Sequence, residues 1–251
     1  MSCKVVLSEL WVEREGKEIL RGVSAEMEGG LTMIMGPNGA GKTSLLKVIG
    51  GIWSPTRGEV EVCGRRRASD LISFVPAYLK VDPYATAVDV VEAFLFNRRS
   101  LVESVRGKRG KEVLDSMGLS SLAHRRFNTL SGGEHKLVMI AGALAREPRV
   151  LLLDEPFSHL DLANQQRMAK IITQLRERMT VIVTIHEPLY ANLADKLLVM
   201  ASGRVVAAGR PREVLRKELL EKVYGVKMTE LEHNGARVIF PDLADLEGHP
   251  V

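Results

Sequence analysis

The sequence predicts an α/β fold built around a mostly parallel β-sheet, and three observations support this prediction. A glycine-rich octapeptide, Gly36–Thr43, lies between an apolar strand pattern and a helical pattern. Two later runs, Val150–Leu153 and Val181–Ile185, are continuously apolar, as expected for parallel strands that are covered on both faces. The region from about residue 77 to residue 130 is helical in pattern and indicates a helical segment between the strands.

Length and composition are those of an ordinary globular chain. The 251 residues are 45% hydrophobic and 26% charged, which allows one large α/β domain or a core with a small insert. No apolar run reaches the roughly 18–20 residues of a membrane span, and the N-terminus shows no signal-peptide pattern. Cys3 and Cys63 fit neither a disulfide framework nor a metal-binding spacing, so we expect two reduced, buried thiols.

Positive charge is concentrated in one stretch of the chain. Between Arg98 and Arg126 there are eight Lys/Arg and three acidic residues, a local net charge of +5, whereas the whole chain carries +4. This stretch is either a solvated face or a surface that faces acidic partner groups or anionic lipid heads. We do not expect nucleic acid as a partner, because aromatic residues are not interleaved with the charges.

In the N-terminal part of the chain, strands and helices are predicted from the alternation of polar and apolar residues, from apolar runs and from glycines. Alternating residues and apolar runs predict strands at 4–12, 17–27, 31–35, 59–63 and 72–75. A helix is predicted from Lys42 to Ile49, where Gly50-Gly51 ends it. In the helical region, Thr86–Asp89 has the pattern of a capping box, and a second helix fits Lys111–Met117.

The C-terminal elements continue the alternation of strands and helices. A helix is predicted from about Asn164 to Arg178, followed by the second apolar strand. Leu197–Ala208 has the pattern of a hairpin that turns at Ser202-Gly203. A last helix near Arg212–Tyr224 precedes a strand-like tail at Arg237–Phe240. We find no internal repeat and no low-complexity linker.

The octapeptide is the strongest sign of chemistry in the chain. It reads Gly36-Pro37-Asn38-Gly39-Ala40-Gly41-Lys42-Thr43 and fits the phosphate-binding pattern G-x-x-x-x-G-K-[ST]. Its backbone N–H groups and the following helix N-terminus can converge on a polyphosphate. Lys42 would add a positive charge at the outer phosphates, and the Thr43 hydroxyl would hold Mg²⁺.

A pair of acids follows the Val150–Leu153 strand. Asp154 and Glu155 lie where a parallel sheet binds ligands, and adjacent residues of an extended chain point in different directions. Asp154 would therefore hold Mg²⁺, and Glu155 would polarise the attacking water as a general base. The alternative is an acidic pair that caps a local structure.

A second glycine-rich motif, Leu130-Ser131-Gly132-Gly133-Glu134, begins another helix. Ser131 has the properties of an N-cap, with Glu134 three residues later as its capping-box partner. Either this is an ordinary capped helix, or the hydroxyl and the bare Gly132 and Gly133 form an anion receptor at the helix N-terminus. The chain already has one phosphate loop, so a second receptor is useful only for a nucleotide held by another copy.

The order of these motifs resembles that of an ABC-type ATPase subunit. The motifs are Gly36–Thr43, Leu130–Glu134, Leu151–Pro156, Ser158-His159-Leu160-Asp161 and His186. The LSGGE string is highly specific to that family when it lies shortly upstream of the paired acids. The resemblance covers nearly the whole chain. The tail from Glu218 to Val226 resembles the importer branch that serves iron-siderophores, haem and cobalamin.

The resemblance implies an ATP- and Mg²⁺-dependent homodimer in which two head-to-tail copies sandwich two ATP molecules. Ser131 and Gly133 of one copy would contact the γ-phosphate bound by Lys42 of the other. The remaining implied site residues are Asn38 and Gly39 in the phosphate loop, Ser44 near the α-phosphate, Asp161 crossing the interface, and His186 on the γ-phosphate beside the catalytic Glu155.

The resemblance also implies a domain organisation and a location. Residues 1–76 and 131–251 would form a P-loop NTPase core with an N-terminal antiparallel β subdomain. Residues 77–130 would form an inserted helical subdomain that docks on a polytopic membrane permease. The subunit would then be cytoplasmic and peripheral on the inner face of the cell membrane, where the basic stretch suits the leaflet.

The chain departs from the family pattern at two places. The family usually has Gln after a Val-Pro pair, but Ala77 follows Val75-Pro76 here, so we expect water to complete the metal shell. The family often stacks adenine on an aromatic residue at the place that Arg14 or Glu15 occupies here. Arg14 could stack on the base, or Trp11 could replace the aromatic residue, although Trp11 also fits a core or edge-strand role.

The function expected from the resemblance is the ATP-hydrolysing subunit of an importer of iron complexes or cobalamin-like cargo. One alternative is a soluble ATPase of the same fold, for example in iron–sulfur cluster assembly. Another is a nucleotide-binding module that hydrolyses weakly, against which the presence of Glu155 and His186 argues. Export is a further possibility, since hydrolysis residues do not encode the direction of transport.

Overall fold

A six-stranded sheet forms the centre of the molecule. The computed structural model describes residues 3–66, 68–95, 108–233 and 235–242. The strands of this sheet, in spatial order, are Ile72–Val75 (β5), Val150–Leu153 (β6), Thr180–Ile185 (β7), Leu31–Met35 (β3), Lys196–Ala201 (β8) and Arg204–Gly209 (β9). The first five are parallel and β9 is antiparallel to β8. The prediction of a mostly parallel sheet is confirmed.

Two smaller antiparallel sheets flank the central one. The N-terminal sheet consists of Lys4–Arg14 (β1), Lys17–Glu28 (β2) and Arg57–Val62 (β4), in the order β2-β1-β4. A C-terminal hairpin pairs Met228–His233 (β10) with Ala236–Pro241 (β11). The sequence predicted β11 but not β10, because Met228 is the only buried residue of that strand and no apolar face shows in its pattern.

Seven α-helices connect the strands within the described residues. They are Lys42–Ile49 (α1), Ala87–Leu95 (α2), Lys108–Ser116 (α3), Gly132–Leu144 (α4), Leu162–Leu175 (α5), Pro211–Val214 (α6) and Lys217–Tyr224 (α7). The predicted last helix is therefore two helices, α6 and α7. Across the described ranges, every helix is too short or too polar to cross a bilayer.

The two faces of the central sheet are buried against different parts of the molecule. Because side chains alternate along a strand, Met33 and Met35 of β3 face one hydrophobic core and Ile34 faces the other. The first core contains residues of α2, α3 and α4, which pack on one another. The second core joins the sheet to α1 and the N-terminal sheet. The division into a core and an insert at 77–130 stays a prediction.

The expectation of two reduced, buried thiols was wrong. Cys3 and Cys63 form a disulfide, and Cys63 lies at an exposed turn. The physical reason is strand pairing, since β1 and β4 are antiparallel neighbours in which Val5 lies opposite Val62. This register brings the two cysteine Cα atoms to 4.8 Å, within the range of disulfides. The 60-residue separation along the chain hid this proximity.

The basic stretch lies only partly within the described residues. Arg98, Arg99 and Arg106 lie outside them. Arg125 forms an ion pair with Glu134 at 3.1 Å, and the Arg126 guanidinium lies 5.3 Å from the centre of the Tyr84 ring. Two of the basic residues therefore contact groups of the chain itself.

Candidate functional site

The carboxyl ends of four neighbouring strands meet at one edge of the central sheet. β5 leads to Ala77, β6 to Asp154 and Glu155, β7 to His186, and β3 to the phosphate loop. Because β5, β6, β7 and β3 are adjacent and parallel, these groups lie side by side. This edge is the position at which open α/β sheets bind ligands.

Two glycines of the phosphate loop, Gly36 and Gly41, lie where a side chain would meet close neighbours. Gly41, the N-cap of α1, has a φ of 101°, and a Cβ there would lie 2.9 Å from Cδ2 of Leu20. A Cβ on Gly36 would lie 2.2 Å from the backbone oxygen of Met200. A side chain at Gly36 would meet backbone and displace the loop. A side chain at Gly41 would require Leu20 to shift and would be held at a φ that favours glycine, so both glycines let the backbone approach its neighbours.

Lys42 lies folded back over the phosphate loop and is only 5% exposed. Its Nζ donates to the backbone oxygens of Gly36 at 2.7 Å and Pro37 at 3.0 Å, and to Nδ1 of His186 at 3.1 Å. Burial lowers the pKa of the Lys42 ammonium, while the charges of Glu155 and Asp154 act in the opposite direction. Because a buried charge is stabilised by an opposite charge, this position favours the binding of an anion.

Thr43 and Asp154 form a compact oxygen-rich group. The Thr43 hydroxyl lies 3.1 Å and 3.0 Å from the two oxygens of the Asp154 carboxylate. Asp154 is 4% exposed, and its Oδ1 also accepts a hydrogen bond from the Thr184 hydroxyl at 2.7 Å. Hard oxygen ligands with one carboxylate fit Mg²⁺, which completes its shell with substrate phosphates and water.

Glu155, His186 and Lys42 form a continuous hydrogen-bonded chain. His186 Nε2 contacts Oε1 of Glu155, and its Nδ1 contacts the Lys42 ammonium. In this geometry Nδ1 accepts from Lys42 and Nε2–H donates to the carboxylate. Glu155 has a φ of 49°, a strained conformation for a residue with a side chain, and Ser158 lies 3.3 Å from its second oxygen. The Glu155 carboxylate is therefore oriented by its contacts with His186 and Ser158.

The predicted residues Ser131, Gly132, Gly133 and Asp161 form a second cluster, in which Gly133 is buried and the other three are exposed. Ser131 caps α4 in a complete capping box with Glu134, as the sequence predicted. Asp161 caps α5 by accepting from the backbone N–H of Asn164 at 2.8 Å. A Cβ on Gly133 would lie 2.8 Å from the Asn164 side chain, so the start of α4 packs directly on the start of α5. Ser131, Gly132 and Asp161 lie together at the surface.

The predicted base-stacking residues have partners of their own. The Arg14 guanidinium lies 4.2 Å from the centre of the Trp53 ring, and the Lys47 ammonium lies 4.7 Å from it. Trp11 is half-buried on β1, with Arg204 5.9 Å from its ring centre. No local pattern in the sequence connects Trp53 with Arg14. Stacking of Arg14 or Trp11 on adenine stays a prediction.

Three residues that contact the site were not identified from the sequence. Thr184 donates to Asp154 and accepts from the backbone N–H of Glu155 at 2.9 Å. Its signal was a single polar residue inside an apolar strand. Tyr224 donates from its hydroxyl to the backbone oxygen of His186 at 2.8 Å. Lys136, on α4, contacts the backbone of Ala77 and Glu155. The sequence around Tyr224 and around Lys136 contains no pattern that indicates a contact with the site.

Comparisons with known proteins agree with this geometry. Residues 20–158 match the family model described as ABC transporter. HmuV, a hemin import ATP-binding protein of Rhizobium meliloti (strain 1021), is 33% identical over 242 residues, which cover 88% of this chain and 91% of that protein. A solved inward-facing ABC transporter, described as metal-chelate type, has a TM-score of 0.84 at 28% identity, over 98% of this chain and 100% of that chain.

A second solved structure adds a dimeric arrangement. The ATP-binding cassette MJ0796, in a dimeric post-hydrolysis state bound to ADP and Pi, has a TM-score of 0.71 at 28% identity. The match covers 83% of this chain and 99% of that chain.

Proposed function

This chain belongs to the ABC transporter family as an ATP-binding, ATP-hydrolysing subunit, and we propose that it powers a membrane importer through ATP-driven, head-to-tail dimerisation. The observation that carries this proposal is the Lys42–His186–Glu155 chain beside the phosphate loop, together with a separate exposed cluster at Ser131 and Asp161. One cluster is equipped to bind and cleave a triphosphate. The other is equipped to receive an anion from outside its own chain.

Each residue of the first cluster has a role in hydrolysis. The loop N–H groups and Lys42 hold the β- and γ-phosphates of ATP. Glu155 accepts a proton from the attacking water, and His186 contacts the γ-phosphate while it orients the Glu155 carboxylate. Thr43 and Asp154 would hold Mg²⁺, which supplies charge neutralisation on the phosphate oxygens. Ser44 follows Thr43 on α1 and faces the α-phosphate.

The second cluster completes the site of the partner copy. The hydroxyl of Ser131 and the bare backbone of Gly132 and Gly133 meet the γ-phosphate held by the partner subunit. Asp161, at the start of α5, crosses the same interface. The dimeric MJ0796 cassette supports an assembly of two copies. We therefore propose a homodimer with two ATP molecules at its interface.

The relatives support a cargo and a location for this subunit. The HmuV match supports an importer of iron complexes or related cargo and favours this function over a soluble assembly ATPase. The insert at 77–130 docks on a polytopic membrane permease, which makes the subunit peripheral on the cytoplasmic face of the membrane. An intact Glu155 and His186 argue against a module that only binds nucleotide.

Trapping the dimer tests this proposal. Glu155→Gln is expected to bind ATP without hydrolysing it, so size-exclusion chromatography with light scattering should show the mass doubling when ATP and Mg²⁺ are added. The matched control is Glu155→Gln with Ser131→Arg, which places a bulky side chain at the interface and should stay monomeric. A Glu155→Gln protein that binds ATP and stays monomeric would refute the head-to-tail mechanism.

The Tyr224 hydroxyl allows a further prediction about turnover. Tyr224→Phe keeps the ring and removes the hydrogen bond to the His186 carbonyl, so His186 is held less firmly against Glu155. Loss of one such bond, about 0.5–1.5 kcal/mol, predicts a fall in kcat of roughly 2- to 13-fold with little change in KM. Steady-state phosphate release measures this, with the exposed Tyr84→Phe as the control. An unchanged kcat would show that Tyr224 only packs the tail.

A further inference from the structure

A buried lysine on α4 has no part in the hydrolysis mechanism described above. Lys136 is 7% exposed, and its Nζ donates to the backbone oxygen of Ala77 at 2.7 Å and to that of Glu155 at 3.3 Å. Burial lowers the pKa of its ammonium, and the charges of Asp154 and Glu155 counteract this. A long cation buried between two carbonyls is costly, which makes a role beyond packing worth testing.

The position of Lys136 on its helix connects two different sites. Lys136 lies five residues after Ser131, about 7.5 Å along the same rigid helix. Ser131 serves the ATP that the partner copy holds, whereas Glu155 acts on the ATP held by its own chain. Lys136 thus connects two elements. One is α4, whose N-terminus contacts the ATP of the partner copy, and the other is the backbone of Glu155, the general base for the ATP of its own chain.

The same ammonium also reaches the place where this chain departs from its family. Ala77 has no side-chain oxygen, so its side chain cannot join the site, but its backbone carbonyl is held by Lys136. Ala77 begins the proposed helical insert. The lysine therefore ties three parts of the molecule to one another: the insert, α4 and the end of β6.

We propose that Lys136 is a positioning residue that couples the two ATP sites of the dimer, by transmitting a shift of α4 to the backbone of Glu155. This proposal rests on the proposed function, because it needs two ATP molecules at a shared interface. When the partner's γ-phosphate engages Ser131, α4 and Lys136 move as one body, and the Glu155 carboxylate is brought to its working position.

The test is the dependence of ATPase rate on ATP concentration in the purified full chain. For wild type we expect a Hill coefficient that approaches about 2, the number of sites. Lys136→Met keeps an unbranched side chain that is one atom shorter and loses the donors, so the coefficient should fall to about 1 and kcat by about 10-fold. Lys136→Arg keeps the charge and donors and should restore cooperativity, and the exposed Lys170→Met should behave as wild type.

Two further measurements distinguish a failure of the Lys136 coupling role from a failure of the proposed ATP-dependent dimer. Lys136→Met combined with Glu155→Gln should still form the ATP-dependent dimer, whereas failure of Glu155→Gln alone to dimerise would refute the proposed function instead. If Lys136→Met does not fold, Lys136→Gln takes its place with the same readouts. A folded Lys136→Met or Lys136→Gln protein with wild-type cooperativity and kcat would overturn the coupling role, as would a wild-type Hill coefficient of about 1.

Discussion

Replacing Lys42 with methionine is expected to weaken ATP binding about 100-fold while it leaves the nucleotide-free protein folded. The Lys42 ammonium donates to the backbone oxygens of Gly36 and Pro37, and ATP would place its phosphates against this buried cation. Loss of charge-assisted contacts to the phosphates, about 3 kcal/mol, predicts affinity weakened by about 10²-fold. Equilibrium titration with a fluorescent ATP analogue measures this loss, with Lys170→Met as the control.

The stability of the Lys42 variant should move little. Removal of a desolvated cation is favourable, whereas the loss of a donor for two carbonyls is unfavourable, so we expect the unfolding free energy to change by less than about 2 kcal/mol. Denaturant unfolding without nucleotide measures this change. A Lys42→Met protein that is strongly destabilised, or that binds ATP with wild-type affinity, would contradict the role of Lys42 as a preformed phosphate ligand.

The same variant makes a prediction about pH. Burial keeps the pKa of Lys42 below its ordinary 10.5, so between the folded value and 10.5 the unfolded chain binds more protons. Lys42 should therefore contribute a rise with pH to the unfolding free energy of the wild type through that window. The unfolding free energy of the wild type relative to Lys42→Met should increase with pH, because Lys136, Tyr190 and Tyr224, whose pKa values are also shifted, are present in both proteins and cancel in the comparison. Denaturant titrations at about pH 8 and 10 compare the two proteins.

The parts of this molecule that sequence predicts well are those encoded by local pattern. The phosphate loop needs glycines at fixed offsets between a strand and a helix, and the Ser131 capping box lies within four residues. Parallel strands have continuous apolar runs because both of their faces are buried. Each of these signals is complete within about ten residues, so the strand order was not needed to find them.

The contacts that sequence did not predict are made between distant segments. Cys3 meets Cys63 only because β1 and β4 are neighbours, and Arg14 meets Trp53 across the N-terminal sheet and the segment that follows α1. Tyr224 reaches His186 from a helix near the C-terminus, 38 residues away. In each case the residues that surround it in the sequence contain no pattern that indicates its partner. The chemistry appears only when packing places one side chain beside another.

Glu155→Gln is expected to lower kcat by about 10²–10⁴-fold with little change in ATP affinity, since the amide keeps the shape of the side chain but cannot accept the proton of the attacking water. Steady-state phosphate release and nucleotide titration separate the two quantities, and the exposed neighbour Glu187→Gln should behave as wild type. A Glu155→Gln protein that retains a tenth or more of the wild-type kcat would show that the general base lies elsewhere.

A double-variant cycle sharpens this prediction. His186 Nε2 contacts Oε1 of Glu155 and His186 Nδ1 contacts Lys42, so the histidine and the carboxylate act as one unit. Residues of one catalytic unit have non-additive effects, so Glu155→Gln combined with His186→Ala should be no slower than the worse single variant. If the two losses in kcat instead multiply, His186 acts on the γ-phosphate independently of Glu155, and the contact between them is not the means by which the base is aimed.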